Sequence, residues 1–154
     1  MMKLCSDVLT ALAGKTLVTA ESLTGGGIGA ALTAVSGSSA VYKGGIISYT
    51  NWVKEHILGV SHETLERYGA VSLQTAEEMA VGARRVLQAD VAVSVTGLAG
   101  PGGDDYGNPV GTVCIGFSND HESFAVKHHF KGGRDEVRSQ TIRAALELVL
   151  DHHQ

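Results

Sequence analysis

The 154-residue sequence predicts a single three-layer α/β/α domain built on a mixed, largely parallel sheet. Three observations carry this. Short valine- and isoleucine-rich runs of strand length alternate with longer segments whose apolar residues recur at helical spacing, the order expected of βα units. The last two runs, Val110 to Ser118 and Glu122 to Phe130, are separated only by Asn119-Asp120-His121, a hairpin spacing that adds an antiparallel pair. The length suits one hydrophobic core, and no repeat or low-complexity tract divides residues 1–154.

Taken in order, Met2 to Ala13 carries Leu4, Val8, Leu9 and Leu12 on one helical face, with Gly14 as the expected C-cap. Lys15 to Ala20 reads as a buried strand, and Ile28 to Val35 as a small-residue helix beyond a Gly-rich turn. Gly37-Ser38-Ser39 is a loop. Val41 to Tyr49 is the second strand, weakened at Gly44-Gly45. Asn51 is expected to cap a short helix reaching Leu58 that places Lys54 in its first turn. Ser61 opens a helix that ends before Gly69. Ser72 opens a longer one, whose Ala76, Met79, Ala80, Ala83, Val86 and Leu87 form the apolar face. Asp90 to Thr96 is the third strand. Gly97 to Pro109 holds five glycines and both prolines, the composition of a functional loop. After the hairpin and Lys131-Gly132-Gly133, the final helix turns Val137, Ile142, Ala145, Leu146, Val149 and Leu150 to the core.

Composition excludes several classes. A 44% hydrophobic and 18% charged content is that of a globular chain, and a net charge of −4 without a basic run disfavours nucleic acid as a partner. No apolar run approaches the roughly 20 residues that span a bilayer, and the N-terminus lacks a signal-peptide pattern, so a cytoplasmic protein with no membrane partner is expected. Cys5 and Cys114 are far apart and outside any CxxC, so they read as buried thiols. The seven histidines show no metal-ligand spacing, and Asp104-Asp105 reads as loop solvation. No metal or organic cofactor is expected.

The chain is organised around Thr19-Ala20-Glu21-Ser22-Leu23-Thr24-Gly25-Gly26-Gly27. A serine on a strand-to-helix turn presents its hydroxyl at a sheet edge, and the following Thr24, Gly25 and Gly26 offer backbone N–H groups at a helix N-terminus. That suits an activated nucleophile with an oxyanion site, a phosphate cradle, or simply a tight turn. Ligands of open α/β sheets gather beyond the carboxyl ends of parallel strands. Four junctions qualify: Ser22–Gly27, Tyr49–Lys54, Thr96–Gly103 and Gly132–Arg134. If the strands before them run parallel, all four share one edge. Within them, a desolvated Lys54 with a lowered pKa is able to take the proton of Ser22.

Five ordered motifs then point to one family. They are Ala20-Glu21-Ser22-Leu23-Thr24-Gly25-Gly26, Tyr49-Thr50-Asn51-Trp52-Val53-Lys54, Gly69-Ala70-Val71-Ser72, Thr96-Gly97-Leu98-Ala99-Gly100-Pro101 and Pro109-Val110-Gly111-Thr112-Val113. Over nearly its whole length the chain resembles the C-terminal domain family of the competence-damage-inducible protein CinA, which includes stand-alone nicotinamide-nucleotide amidases. The resemblance implies a three-layer α/β homodimer that hydrolyses nicotinamide mononucleotide to nicotinate mononucleotide and ammonia. It implies Ser22, Tyr49 and Lys54 as the catalytic constellation. Larger members add an N-terminal domain resembling molybdopterin-binding proteins, for which this length is expected to leave no room. Leu23 stands where a cysteine is frequent, Thr50 and Thr96 where serines are, and Gly133 where an aspartate usually precedes Arg134; Arg138 is retained.

The expected mechanism has Ser22 attack the carboxamide carbon, Lys54 as general base, Tyr49 positioning or relaying the proton, and N–H groups of Thr24–Gly26 holding the oxyanion. Asn51, Thr96, Gly97, Ala99 and Gly100 are expected to contact the substrate, with Arg134 on its phosphate. Two other readings stand beside it: a nucleotide-binding module without hydrolysis, and a Ser-Lys amidase acting on another amide.

Overall fold

The computed structural model describes residues 1–153. Its elements are α1 (Met2–Ala11), β1 (Leu17–Glu21), α2 (Gly27–Thr33), β2 (Tyr42–Ile47), α3 (Asn51–His56), α4 (His62–Tyr68), α5 (Leu73–Leu87), β3 (Val91–Gly97), β4 (Thr112–Ser118), β5 (Ser123–His129) and α6 (Arg134–Asp151). The sheet order is β2-β1-β3-β4-β5. β1 pairs in parallel with β2 and β3, while β4 runs antiparallel to both of its neighbours, so β5 again points along β3. The loops after β1, β2, β3 and β5 therefore leave the sheet at one edge. The chain steps from β1 to β2 on one side and later to β3 on the other, which makes the tip of β1 a topological switch point.

The two faces are built differently. Leu17, Val91, Val93, Val95, Val113, Ile115 and Phe117 face α1, α2 and α6 in the larger core. On the opposite face the alternate residues are small, including Ala20, Ala92, Cys114 and Gly116. Small side chains let α5 lie close: a Cβ on Gly116 would stand 2.1 Å from the Ala76 carbonyl oxygen. Cys5 and Cys114 are buried and free, and burial pushes the Cys114 thiol up to about 11. Among the described residues no helix is long and apolar enough to cross a membrane.

Several local expectations shift. Helix α1 stops at Ala11, and Gly14, at φ +89°, makes the reversal into β1 two residues beyond the Leu12 cap. Asn51 is the first helical residue rather than the cap; Thr50, with extended φ and ψ, holds that position. The Gly37–Ser39 loop contains a 3₁₀ turn, Ser38–Ala40. Val86 lies outside the core, 43% exposed, because it falls at the edge of the α5 stripe. Strand β2 ends at Ile47 rather than Tyr49, and its register slips by one residue between Leu17 and Val18.

The 97–109 loop is tied to its neighbours. The Asp104 carboxylate accepts from the Tyr106 and Asn108 N–H groups, and the Tyr106 hydroxyl donates to the Glu66 carbonyl at 2.7 Å.

The turn that follows α3 is set against α5 by a close backbone contact. A Cβ on Gly82 would meet the Leu58 carbonyl oxygen at 1.8 Å, and Arg85 donates to that same oxygen. Gly→Ala in a solvated helix gains up to about 1 kcal/mol. Here the sign reverses: Gly82→Ala is expected to lower stability by about 1–3 kcal/mol, the cost of overpacking, read from denaturant midpoints.

Candidate active site

The site begins with an acid in an apolar strand. Glu21 closes β1, is 1% exposed, and turns its carboxylate toward α2. It accepts hydrogen bonds from Thr24 Oγ1 at 2.7 Å, Ile28 N at 2.8 Å, Gly29 N at 3.0 Å and Thr19 Oγ1 at 3.2 Å. The two amides are free donors of the first turn of α2, so the carboxylate meets the positive end of the helix. This corrects one expectation. The N-terminus of α2 is closed by the chain's own carboxylate and is no phosphate cradle. Thr24, Gly25 and Gly26 accordingly stay out of the cavity wall. The Gly25 N–H donates to the Ser22 carbonyl, and a Cβ on Gly26 would face Ile47 rather than a ligand.

Ser22 follows Glu21 at the switch point, 7% exposed, with its N–H bonded to the Val95 carbonyl of β3. Its Oγ lies 3.0 Å from Lys54 Nζ. Lys54 is 1% exposed, and its Nζ also donates to the Ser48 carbonyl at 2.7 Å and the Tyr49 carbonyl at 3.4 Å. Desolvation disfavours the ammonium and lowers its pKa from 10.5 to about 8. The three neighbours match what a neutral amine needs. Two carbonyls take its two N–H groups, and its lone pair is left to accept from the Ser22 hydroxyl.

Around this pair lies a cavity of about 320 Å³. Nine of the sequence-derived site residues share its wall: Ser22, Tyr49, Lys54 and Asn51 on one side; Thr96, Gly97, Ala99 and Gly100 on the other; and Arg134 at the rim. Lys54 and Arg134 are the basic side chains lining it, and no carboxylate does. Arg134, the first residue of α6, donates to the Gly100 carbonyl at 2.7 Å and the Tyr49 hydroxyl at 3.4 Å, spanning two loops. Tyr49 is 60% exposed. Its phenol partners Arg134, while its carbonyl contacts Lys54, so the part of Tyr49 that touches the Lys54 amine is its main chain. Thr96 Oγ1 is engaged by the Ala70 carbonyl, which leaves its backbone to the cavity.

Sequence reasoning missed the residues that act through position. Leu23, Ala70, Val71, Leu98 and Gly102 complete the wall. The Ser48 carbonyl had no sequence signal, since any residue supplies one. Glu21 did have one: an acid inside an otherwise apolar strand is buried at a cost unless it is hydrogen-bonded. Among the described residues no group of three His, Cys, Asp or Glu side chains converges to hold a metal ion.

An α/β sheet with a hydroxyl–amine pair at its switch point is the class that fold and site define. The chain belongs to the CinA C-terminal domain family, whose model matches residues 1–153. It is 48% identical over 132 residues to the nicotinamide-nucleotide amidohydrolase PncC of Enterobacter agglomerans, covering 85% of this chain and 80% of that protein. It is 43% identical over 137 residues to a CinA-like protein of Petrotoga mobilis, covering 89% of this chain and 34% of that protein. The chain thus spans about a third of the length of several of the relatives it matches. In three dimensions it resembles the competence/damage inducible protein CihA of Agrobacterium tumefaciens (TM-score 0.95, 42% identity, covering 99% of this chain and 95% of that one). It also resembles a CinA superfamily protein of Enterobacter cloacae (TM-score 0.94, 36% identity, 97% and 90% covered).

Glu21→Gln tests the buried carboxylate. The amide keeps one acceptor oxygen but turns an NH₂ toward groups that themselves donate. Loss of charge-assisted bonds is expected to lower stability by about 1–3 kcal/mol, measured by thermal or denaturant unfolding at neutral pH.

Proposed function

We propose that the chain is an amidohydrolase that converts nicotinamide mononucleotide and water to nicotinate mononucleotide and ammonia. The observation that carries this is the 3.0 Å contact between Ser22 Oγ and a buried Lys54 amine whose pKa is lowered to about 8. The substrate comes from the relative named nicotinamide-nucleotide amidohydrolase, and a wall with the Arg134 guanidinium and no carboxylate suits a substrate that carries a phosphate.

In this reading the Ser22 hydroxyl gives its proton to the neutral Lys54 amine as Oγ bonds to the carboxamide carbon. The tetrahedral oxyanion is held by backbone N–H groups. Leu23, next after Ser22 and in the cavity wall, supplies one in place of Thr24–Gly26. Collapse breaks the C–N bond, and Lys54 returns its proton so that ammonia leaves. Water, deprotonated by Lys54, then attacks the ester carbonyl; the bond to Ser22 Oγ breaks, Lys54 returns the proton to Oγ, and the acid is released as its carboxylate. Arg134 meets the phosphate, trading its bonds to Gly100 and Tyr49 for the anion. Asn51 and the Thr96–Gly100 backbone orient ribose and ring. The binding-module reading loses its phosphate cradle at α2 to Glu21. An amide other than nicotinamide stays open to the same chemistry, and a homodimer is the proposed assembly.

The direct test is ammonia release from nicotinamide mononucleotide. Wild-type protein is expected to release it. Ser22→Ala is expected to lose at least about 10³-fold in kcat/KM while melting as wild type does, since removing a catalytic nucleophile costs that much or more. A wild-type protein that binds the nucleotide and releases no ammonia would reject this substrate and leave the binding module or another amide.

The base assignment has its own signature. Since Lys54 acts as the neutral amine, kcat/KM is expected to rise with pH and level off above about 8, the pKa set by burial. Lys54→Arg is expected to be as inactive as Lys54→Ala, because guanidinium keeps its proton at every working pH. Turnover by Lys54→Arg near the wild-type rate would reassign Lys54 to charge stabilisation.

A further inference from the structure

The turn that carries Ser22 is short of bonds of its own. Within it, the Gly25 N–H donates to the Ser22 carbonyl at 3.1 Å and the Gly27 N–H to the Thr24 carbonyl at 2.9 Å. The remaining hold comes from 115 residues further along the chain: Arg138 Nε donates to the Leu23 carbonyl at 2.9 Å, and its Nη2 to the Thr24 carbonyl at 3.3 Å. One edge of a planar guanidinium thus meets two successive carbonyls, a geometry lysine cannot copy. Gly25, at φ +57°, curls the turn over this guanidinium, and a Cβ there would stand 3.8 Å from Nη2. From the other side Glu21 holds the Thr24 hydroxyl. The Leu23–Thr24 segment is therefore gripped between a buried anion and a half-buried cation.

Arg138 lies one helical turn after Arg134 on α6. Arg134 reaches the cavity rim and Arg138 reaches beneath the nucleophile. We propose that Arg138 is the positioning residue of the acylation step. By fixing the Leu23 and Thr24 carbonyls, it orients the turn so that Ser22 Oγ faces Lys54 and the Leu23 N–H faces the developing oxyanion. The inference rests on Ser22 as nucleophile, not on the identity of the amide. A misplacement of about 1 Å at a reacting group costs up to about 10²-fold in rate, which sets the size of the effect.

The test uses a substrate-independent readout. A fluorophosphonate phosphonylates an activated serine with loss of fluoride, and its rate of addition to Ser22 is followed by mass spectrometry of the intact protein and the Ser22 peptide. The variants are Arg138→Ala, Arg138→Lys and, as control, Arg143→Ala, which alters an exposed arginine of the same helix. Wild type and the Arg143 variant are expected to label at one rate. Arg138→Ala is expected to label about 10- to 100-fold more slowly. With nicotinamide mononucleotide, kcat is expected to fall by the same factor and KM to stay within about threefold, while millimolar guanidinium restores part of the rate. Arg138→Lys, with one donor for two carbonyls, is expected to fall between, and it carries the test if the alanine variant does not fold.

Labelling of a folded Arg138 variant at the wild-type rate overturns the proposal. So does a rise in KM with a fall in melting temperature that guanidinium leaves untouched, since that is a structural role. Wild-type protein that labels at Ser22 but leaves nicotinamide mononucleotide intact would reject the substrate and keep Arg138 testable. Wild-type protein that does not label at Ser22 would remove the nucleophile and this inference with it.

Discussion

A single buried carboxylate fixes how β1 joins α2, and the rest of the site is hung from that joint. Glu21 satisfies two amides of the α2 N-terminus and two threonine hydroxyls at once. Burying a carboxylate is costly unless its lone pairs are filled, and here each oxygen is engaged by two donors. The reward is directional. With Glu21 turned toward the helix, the next residue must turn the other way, and Ser22 comes to the open edge of the sheet. A helix of seven residues has little stability of its own and gains from being capped by its own strand.

Opposite that joint, packing decides where the Lys54 amine stands. Lys54 belongs to a six-residue helix whose following turn sets the Leu58 carbonyl on Gly82 of α5, and α5 itself lies on a sheet face that includes alanine, serine, cysteine and glycine. Helix α6, entering from β5, contributes Arg134 and Arg138. The antiparallel β4 matters for this reason: by reversing the chain twice, the β3–β4–β5 meander returns the last helix to the edge where β1, β2 and β3 end.

Much of this was legible in the sequence, and the limits are physical. The apolar, strand-length runs of β3 and β4 and the 3.6 period of α5 follow from burial, so the layers could be read directly. The junction argument brought Ser22, Tyr49, Lys54, Thr96–Gly100 and Arg134 to one edge because chain direction alone decides it. Capping was less legible. Asn51 has a good capping side chain, yet Thr50 occupies the cap, since the boundary follows backbone angles rather than preference. The Gly25-Gly26 turn looked like an anion site because its amides face outward in a generic helix start. The competitor was Glu21, a ligand already covalently present. Tyr49 was read through its phenol, whereas its carbonyl is what reaches the amine.

The partners that hold the Lys54 amine are main-chain carbonyls, those of Ser48 and Tyr49. Every residue type brings the same carbonyl, so these two contacts survive any substitution that preserves the path of the chain. Selection then acts on them only through backbone geometry. Side chains lining this corner can change, and with them the shape offered to a substrate, while the carbonyls that hold the desolvated amine stay in place. The site separates the tuning of its amine from the tuning of its pocket.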